Sequence, residues 1–276
     1  MKRMCAVLSV SLSGYYAWRK RKPSARQRAN ERLLQRIQEV HEQSRKTYGS
    51  PRVHAELRKQ GVICSKKRVA RLMRQYGIRA RRKRSHKITT QSQHNYPVAA
   101  NLLRQDFQAQ SPNQKWVTDI SYIPTREGWL YLAVVMDLFS RKIVGWTMNK
   151  VITSELTQSA LRMALQNRRP GEGLLHHSDR GSQYCCQTYQ ELLVAHRIQV
   201  SMSRTGNVYD NAPMESFFST LKNEHVHFQD YYTRAQAKTD IFAYIEGFYN
   251  PWRRHSTLGY LSPVEFEQNY FPISAF

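Results

Sequence analysis

Apolar side chains follow two rhythms along this chain, and the change falls between residues 95 and 115. In the first part they recur every three or four positions, as on one face of a helix. Leu33, Leu34, Ile37 and Val40 line one side of a helix from Glu31 to Gln43. Pro51 suits the first turn of a second helix, which carries Val53, Ala55 and Leu57 and stops at Gly61. Ser65 caps a third, whose apolar positions are Val69, Leu72, Met73 and Tyr76. With Val62-Ile63-Cys64 as the turn, Gly49 to Gly77 reads as a helix-turn-helix. Ahead of it, Met4, Val7, Leu8 and Val10 have helical spacing and Ser11 to Gly14 makes a break. Tyr15-Tyr16-Ala17-Trp18 then resumes, like the end of a helix-turn-helix truncated at its start.

Beyond residue 111 the rhythm shortens to that of strands. Trp116–Ile123, Trp129–Met136 and Lys142–Met148 form three strands joined by short turns, an antiparallel meander. Ser154–Gln166 returns to helical spacing, with Leu156, Ala160, Met163 and Ala164 as its buried side. A strand at Leu174–His177, a helix at Gln187–His196 and a strand at Gln199–Met202 follow, then a helix bearing Met214, Phe217, Phe218 and Leu221 on its apolar face. The order β-β-β-α-β-α-β-α predicts a mixed α/β domain around a central five-stranded sheet. Residues 229–276 add a helix with Ile241, Tyr244, Ile245, Phe248 and Tyr249 buried, and an aromatic, basic loop through Pro263. That loop packs on the core or touches DNA through Arg253, Arg254 or His255.

Charge divides the chain at the same place. The formal charge is +23, and residues 1–100 alone hold 26 Lys/Arg against four Glu, while the remainder is nearly neutral. Such an asymmetry fits a phosphate-binding arm beside a separate domain. The second helix of the helix-turn-helix shows Lys66, Lys67, Arg68, Arg71 and Arg74 opposite its apolar face, as a groove-entering helix requires. Arg79, Arg81, Arg82, Lys83, Arg84 and Lys87 form a dense basic run able to follow a DNA backbone or minor groove. These features predict a basic helical DNA-binding region at 1–87, a polar linker at 88–110, a core at 111–228 and an extension at 229–276 that packs on the core. Double-stranded DNA is the implied partner.

Composition removes several other classes. Four cysteines without a C-x-x-C pair read as reduced thiols of a cytoplasmic protein, not as a zinc site. No apolar run approaches the length of a membrane span, and the Arg19-Lys20-Arg21-Lys22 cluster stands where a signal peptide would need small uncharged residues. Ser178 beside His177 has no G-x-S-x-G elbow, so serine hydrolysis fits poorly; His176 and His177 are expected to support a site or meet DNA.

Three carboxylates carry the candidate chemistry. Asp119 lies in the first strand, Asp179 just past the fourth, and Glu215 in the first turn of the helix that Asp210 or Asn211 caps and Pro213 begins. Neighbouring first and fourth strands would bring the aspartates together. Carboxylates so gathered repel one another unless cations share them, and hard oxygen ligands suit Mg²⁺ or Mn²⁺. Two such ions can activate a nucleophile and stabilise the leaving oxygen of a phosphodiester. Lys222, seven residues after Glu215, offers a positive charge to a phosphate. Asp137, Asp210 and Glu224 read as structural.

The motifs that join these residues resemble the B-frame transposases of the IS-three family of bacterial insertion sequences. They are Ser13-Gly14-Tyr15-Tyr16, Tyr48-Gly49-Ser50-Pro51-Arg52, Trp116-x-Thr118-Asp119 and His177-Ser178-Asp179-x-Gly181-Ser182-Gln183-Tyr184. Asp210-Asn211-Ala212-x-x-Glu215-Ser216-Phe217 and the stretch from Tyr249 to Pro263 complete the set, with 35 residues between Asp179 and Glu215. The resemblance implies an RNase H-like core of the retroviral-integrase type and Asp119, Asp179 and Glu215 as a Mg²⁺-binding DDE triad. It also implies cleavage and transfer of DNA strands at the element's terminal inverted repeats into target DNA. It further implies action as a homo-oligomer on DNA and with, or fused to, an upstream-frame helix-turn-helix product. A DNA-binding regulator with structural acids, and a nuclease of the same fold without strand transfer, remain the alternatives.

Overall fold

The computed structural model describes residues 1–81, 98–204 and 208–270. It divides into two compact units, one ending at Arg81 and one beginning at Arg82, and each is described by itself.

The first unit is helical: α1 (Lys2–Val7), α2 (Leu12–Lys20), α3 (Ala25–Gln43), α4 (Ser50–Lys59) and α5 (Lys66–Gln75). Helix α3 starts six residues before the apolar pattern does, because the Ser24 side chain accepts from the Gln27 amide and opens the helix early. Leu33, Ile37 and Val40 of α3 pack with Val53 and Leu57 of α4 and Val69, Leu72 and Met73 of α5 around a fully buried Tyr48. Each such buried aliphatic side chain contributes about 1.5–3 kcal/mol. Ser65 caps α5 through the Arg68 amide. Two expectations change here. Tyr76 is half exposed, since the register turns it out of the three-helix core. Ser11 to Gly14 is no break, because Ser11 caps α2 by accepting from the Gly14 amide.

The second unit is built on β1 (Lys115–Thr125), β2 (Gly128–Asp137), β3 (Ile143–Asn149), β4 (Leu175–Ser178) and β5 (Gln199–Met202), in the order β3-β2-β1-β4-β5. β1, β2 and β3 are antiparallel, whereas β4 runs parallel to both β1 and β5. Helices α6 (Ser154–Arg168), α7 (Ser182–Cys185), α8 (Gln187–Ala195), α9 (Ala212–Glu224), α10 (Arg234–Tyr244) and α11 (Pro263–Tyr270) surround the sheet. Trp116, Ala133, Val135 and Val144 share one apolar core with Leu156, Ala160 and Ala164 of α6 and Tyr189 of α8. Leu132, Val134 and Met136 alternate to the other face, and α9 and α10 pack on β1 and on the β1–β2 pair respectively. Burial on both faces explains why β2 is an unbroken apolar run.

Several side chains tie this unit together over long sequence distances. Arg168 reaches both the fully buried Asp137 and Glu267. The Asn250 side chain accepts from the Ile143 amide and donates to the Ile143 carbonyl, both at 2.9 Å, on the edge strand β3. Gly145 of β3 lies so close to α6 that a Cβ there would collide with the Ala160 carbonyl oxygen and come within 2.7 Å of the Ala164 nitrogen. Met163 is only partly buried, and its sulfur meets the Trp146 amide instead of the core. Residues 98–110, expected within a polar linker, include a docked segment: Leu103 is buried and the Leu102 and Leu103 amides donate to Ser201 Oγ. The Gln-rich sequence hides that one leucine anchor.

Candidate active site

Parallel pairing of β1 with β4 sets the site. Lys115, Trp116 and Val117 face Leu175, His176 and His177, and the same register carried two residues further puts Asp119 opposite Asp179, just past the end of β4. β1 and β4 are also the strands at which the chain's progress across the sheet reverses, β2 and β3 lying to one side and β5 to the other. Crevices at the carboxyl ends of strands beside such a reversal are where open sheets bind ligands. Asp119 pairs with Val134, so it points to the face opposite the core that Trp116, Ala133 and Val135 share with α6.

Helix α9 begins at Ala212 with Pro213 in its first turn, and Met214, Phe217, Phe218 and Leu221 are buried. Glu215 is exposed beside that face. Neither Asp210 nor Asn211 caps the helix through its side chain. Asp210, fully buried, accepts instead from the Arg204 amide and guanidinium, Asn101 and Gln105. Burial alone would lift its pKa, but the Arg204 contacts hold it far below the usual carboxylate range. Asn211, also buried, donates from Nδ2 to the Thr118 carbonyl at 2.9 Å and so ties the start of α9 to the peptide before Asp119; among the described residues its Oδ1 has no hydrogen-bond partner.

Like charges act on Asp119 from two sides. Burial, then the charge of Asp179, raises the Asp119 carboxyl well above the ordinary range; the Ile120 amide opposes this, Glu215 adds to it and Lys222 opposes it. Asp179 Oδ1 accepts from the Gly181 amide at 2.9 Å, and Asp119 Oδ1 from the Ile120 amide at 2.7 Å. Desolvation also raises Glu215. Lys222 is lowered by burial and held up by Asp119, with its Nζ 4.3 Å from the centre of the Tyr122 ring. Tyr184 lies beneath the aspartates, fully buried, 3.3 Å from Thr118 Oγ1, and its hydroxyl is pushed well up by burial and by both charges. Thus Asp179, Glu215 and Lys222 each fall within electrostatic reach of Asp119. Among the described residues, however, no three His, Cys, Asp or Glu side chains are already closed into a metal-holding cluster. The donor set itself suits a hard divalent cation: three carboxylates, all oxygen, with one neighbouring lysine to offset them.

Other expected residues separate by role. His176 and His177 are buried in the sheet: His176 Nε2 meets the Tyr189 hydroxyl and His177 bridges Ser201 and Ser203, so neither reaches DNA. Burial pushes His176 down to about 3 and His177 to about 4. Glu224 and Arg253 form a bidentate pair, and Arg254 donates to the Tyr260 carbonyl, so the C-terminal loop packs and its arginines are buried. On α5, Lys66, Lys67, Arg71 and Arg74 are exposed, whereas Arg68 donates from Nε to Asn30 and is half spent on holding α3. Arg81 is exposed, and Arg82 and Arg84 lie outside the described residues. The motifs alone do not single out Tyr122, Tyr184 and Asn211 as contributors. Tyr184 and Asn211 stand within the quoted motifs without a role attached, and the linear signal of Tyr122 is its place three residues after Asp119.

Residues 109–208 and 215–271 match integrase core domain families, and residues 28–86 match an HTH-like domain family. These define an integrase-core enzyme of the polynucleotidyl transferase type joined to a helix-turn-helix-like region. A 31 kDa protein of insertion element IS600 from Shigella sonnei is 48% identical over 99% of this chain and 100% of its own length. Transposase InsF for insertion sequence IS3A of Escherichia coli (strain K12) is 45% identical over 97% of this chain and 93% of its own. The chain belongs to this family of IS3-element transposases. A solved structure of the HTLV-2 integrase catalytic core domain in complex with magnesium covers 58% of this chain and 99% of that one, at 18% identity and TM-score 0.45. Among the described residues no helix is long and apolar enough to cross a membrane.

Proposed function

We propose that Asp119, Asp179 and Glu215 are the catalytic and metal-holding triad of this transposase, with Lys222 guiding the DNA strand past them. The observation that carries this reading is the parallel β1–β4 register, which lines up Asp119 with Asp179 on a sheet that α9 covers. Mg²⁺ or Mn²⁺, two ions per site, would be held by the three carboxylates and would supply activation of the attacking oxygen and charge stabilisation at the leaving one. The protein's own part is positional. Asn211 fixes α9 to β1, the Gly181 amide orients Asp179, and Lys222, partly desolvated, meets a phosphate oxygen.

In the same reading residues 1–87 grip the terminal inverted repeats, with Lys66, Lys67, Arg68, Arg71 and Arg74 of α5 entering a groove and Arg81, Arg82 and Arg84 following the backbone. Residues 88–110 connect this region to a core at 111–228 and an extension at 229–276. The protein acts on the cell's DNA in the cytoplasm, as a homo-oligomer that holds both element ends, with or fused to an upstream-frame product.

The test compares wild type with Asp119→Asn, Asp179→Asn and Glu215→Gln on element-end DNA in Mg²⁺. Each variant is expected to lose cleavage and joining by about a thousandfold or more while binding end DNA within a few-fold of wild type. Near-normal joining by any one of them removes that residue from the triad, and cutting of arbitrary DNA without joining favours a nuclease.

A further inference from the structure

Past Asp119, β1 runs on to Thr125 and turns into β2 at Gly128. On this hairpin Tyr122 and Trp129 meet edge to face, ring centres 4.9 Å apart, and Trp129 remains 49% exposed. An exposed tryptophan alone is ordinary on a protein surface. This one is the outer end of a connected series. Its partner Tyr122 carries Lys222 Nζ over its ring, and Lys222 in turn lies within the field of Asp119.

The hairpin is also held rigid. Arg234, at the start of α10, donates from Nη2 to the Glu127 carbonyl and from Nε to the Trp129 carbonyl. Gly128 takes a left-handed φ of +107°, and a Cβ there would stand 2.9 Å from that guanidinium, so the glycine is what lets the clamp close. A flat aromatic surface fixed in advance loses little entropy when something stacks on it.

We propose that Trp129, backed by Tyr122, stacks an unpaired nucleobase of the DNA end while Lys222 holds that strand's phosphate. This deepens the triad reading and rests on it. The occupant follows from the chemistry on either side: a cationic group that suits phosphate, an aromatic face that suits any base, and carboxylates that need the strand delivered to them. Bases inside a duplex present no free face, so the platform has use only where a pair is open.

The full-length protein is titrated, without divalent metal, into two versions of one end duplex, fully paired or mismatched over its terminal pairs. Wild type is expected to bind the opened end about tenfold more tightly, with a preference that does not fade as salt rises, since stacking releases no counterions. Trp129→Ala is expected to bind both equally and Trp129→Phe to keep most of the preference, with thermal melting of both variants showing an intact fold. 2-Aminopurine in the opened pairs should change emission on binding wild type and not Trp129→Ala. A preference retained by Trp129→Ala overturns the proposal, and so does a wild type that cleaves end DNA but shows no preference. Failure of wild type to cleave end DNA in Mg²⁺ strikes instead at the triad reading beneath it.

Discussion

At the scale of single residues, chemistry read from the chain succeeds where a side chain's role is local and fails where its partner is remote. Asp137 was legible as structural because it sits at a strand end. Arg168, 31 residues on, could not be inferred as its partner from spacing, nor could Glu267, the second carboxylate that shares this arginine. Burial tends to raise Asp137, and the Asn113 and Phe139 amides with Arg168 oppose this. Removing the cation strands two nearly buried carboxylates, so Arg168→Met is expected to cost about 3–5 kcal/mol in urea denaturation. An unchanged midpoint would mean that the cluster contributes nothing net. His176 gives a pH prediction. Its folded pKa, near 3, lies below the ordinary value of 6.5, so the unfolded chain takes up a proton that the folded one refuses. Its contribution is therefore full above about 6.5 and is lost as pH falls toward about 3, amounting to about 3–5 kcal/mol. Denaturation series at pH 7, 5 and 4 should show wild type losing more than His176→Gln.

At the scale of elements, the order of strands and helices followed from the two hydrophobic rhythms, and strand β5 fell on its expected residues. What the rhythms left open was who pairs with whom. Gly145 shows why: its neighbourhood is set by α6, which lies 15 to 19 residues away. Because the backbone of α6 lies against Gly145, Gly145→Ala must push the helix off the sheet. We expect a loss of about 2–4 kcal/mol in stability, seen as a drop in melting temperature, and an unaltered temperature would show that α6 can move freely. On α5, replacing Lys66, Lys67, Arg71 and Arg74 by Ala should weaken end binding and flatten its salt dependence by about 0.9 for each phosphate no longer neutralised. A slope equal to wild type would place the groove-entering surface elsewhere.

At the scale of the whole molecule, the uneven charge is the most informative bulk quantity, since it separates a basic first hundred residues from a nearly neutral remainder. The three proposed acids were nameable from the chain alone, because their motifs and spacing survive in one dimension. Their support was not. Asn211 joins α9 to β1 across 93 residues, and Asp210 gathers Asn101 and Gln105 from over a hundred residues upstream. The chain therefore carries its candidate acids in short motifs and hides the frame around them.

Asn250 shows what that frame does at the border of the sheet. A strand at an open edge offers its amides and carbonyls to any other extended chain, a second copy of this one included. By occupying both polar groups of Ile143, the asparagine acts as a single-residue substitute for a neighbouring strand and closes that invitation at one end of β3. Asn250→Ala should therefore give a protein that folds but accumulates aggregates with time, measured by light scattering at a concentration where wild type stays clear. One amide thus does at this edge the work of a neighbouring strand.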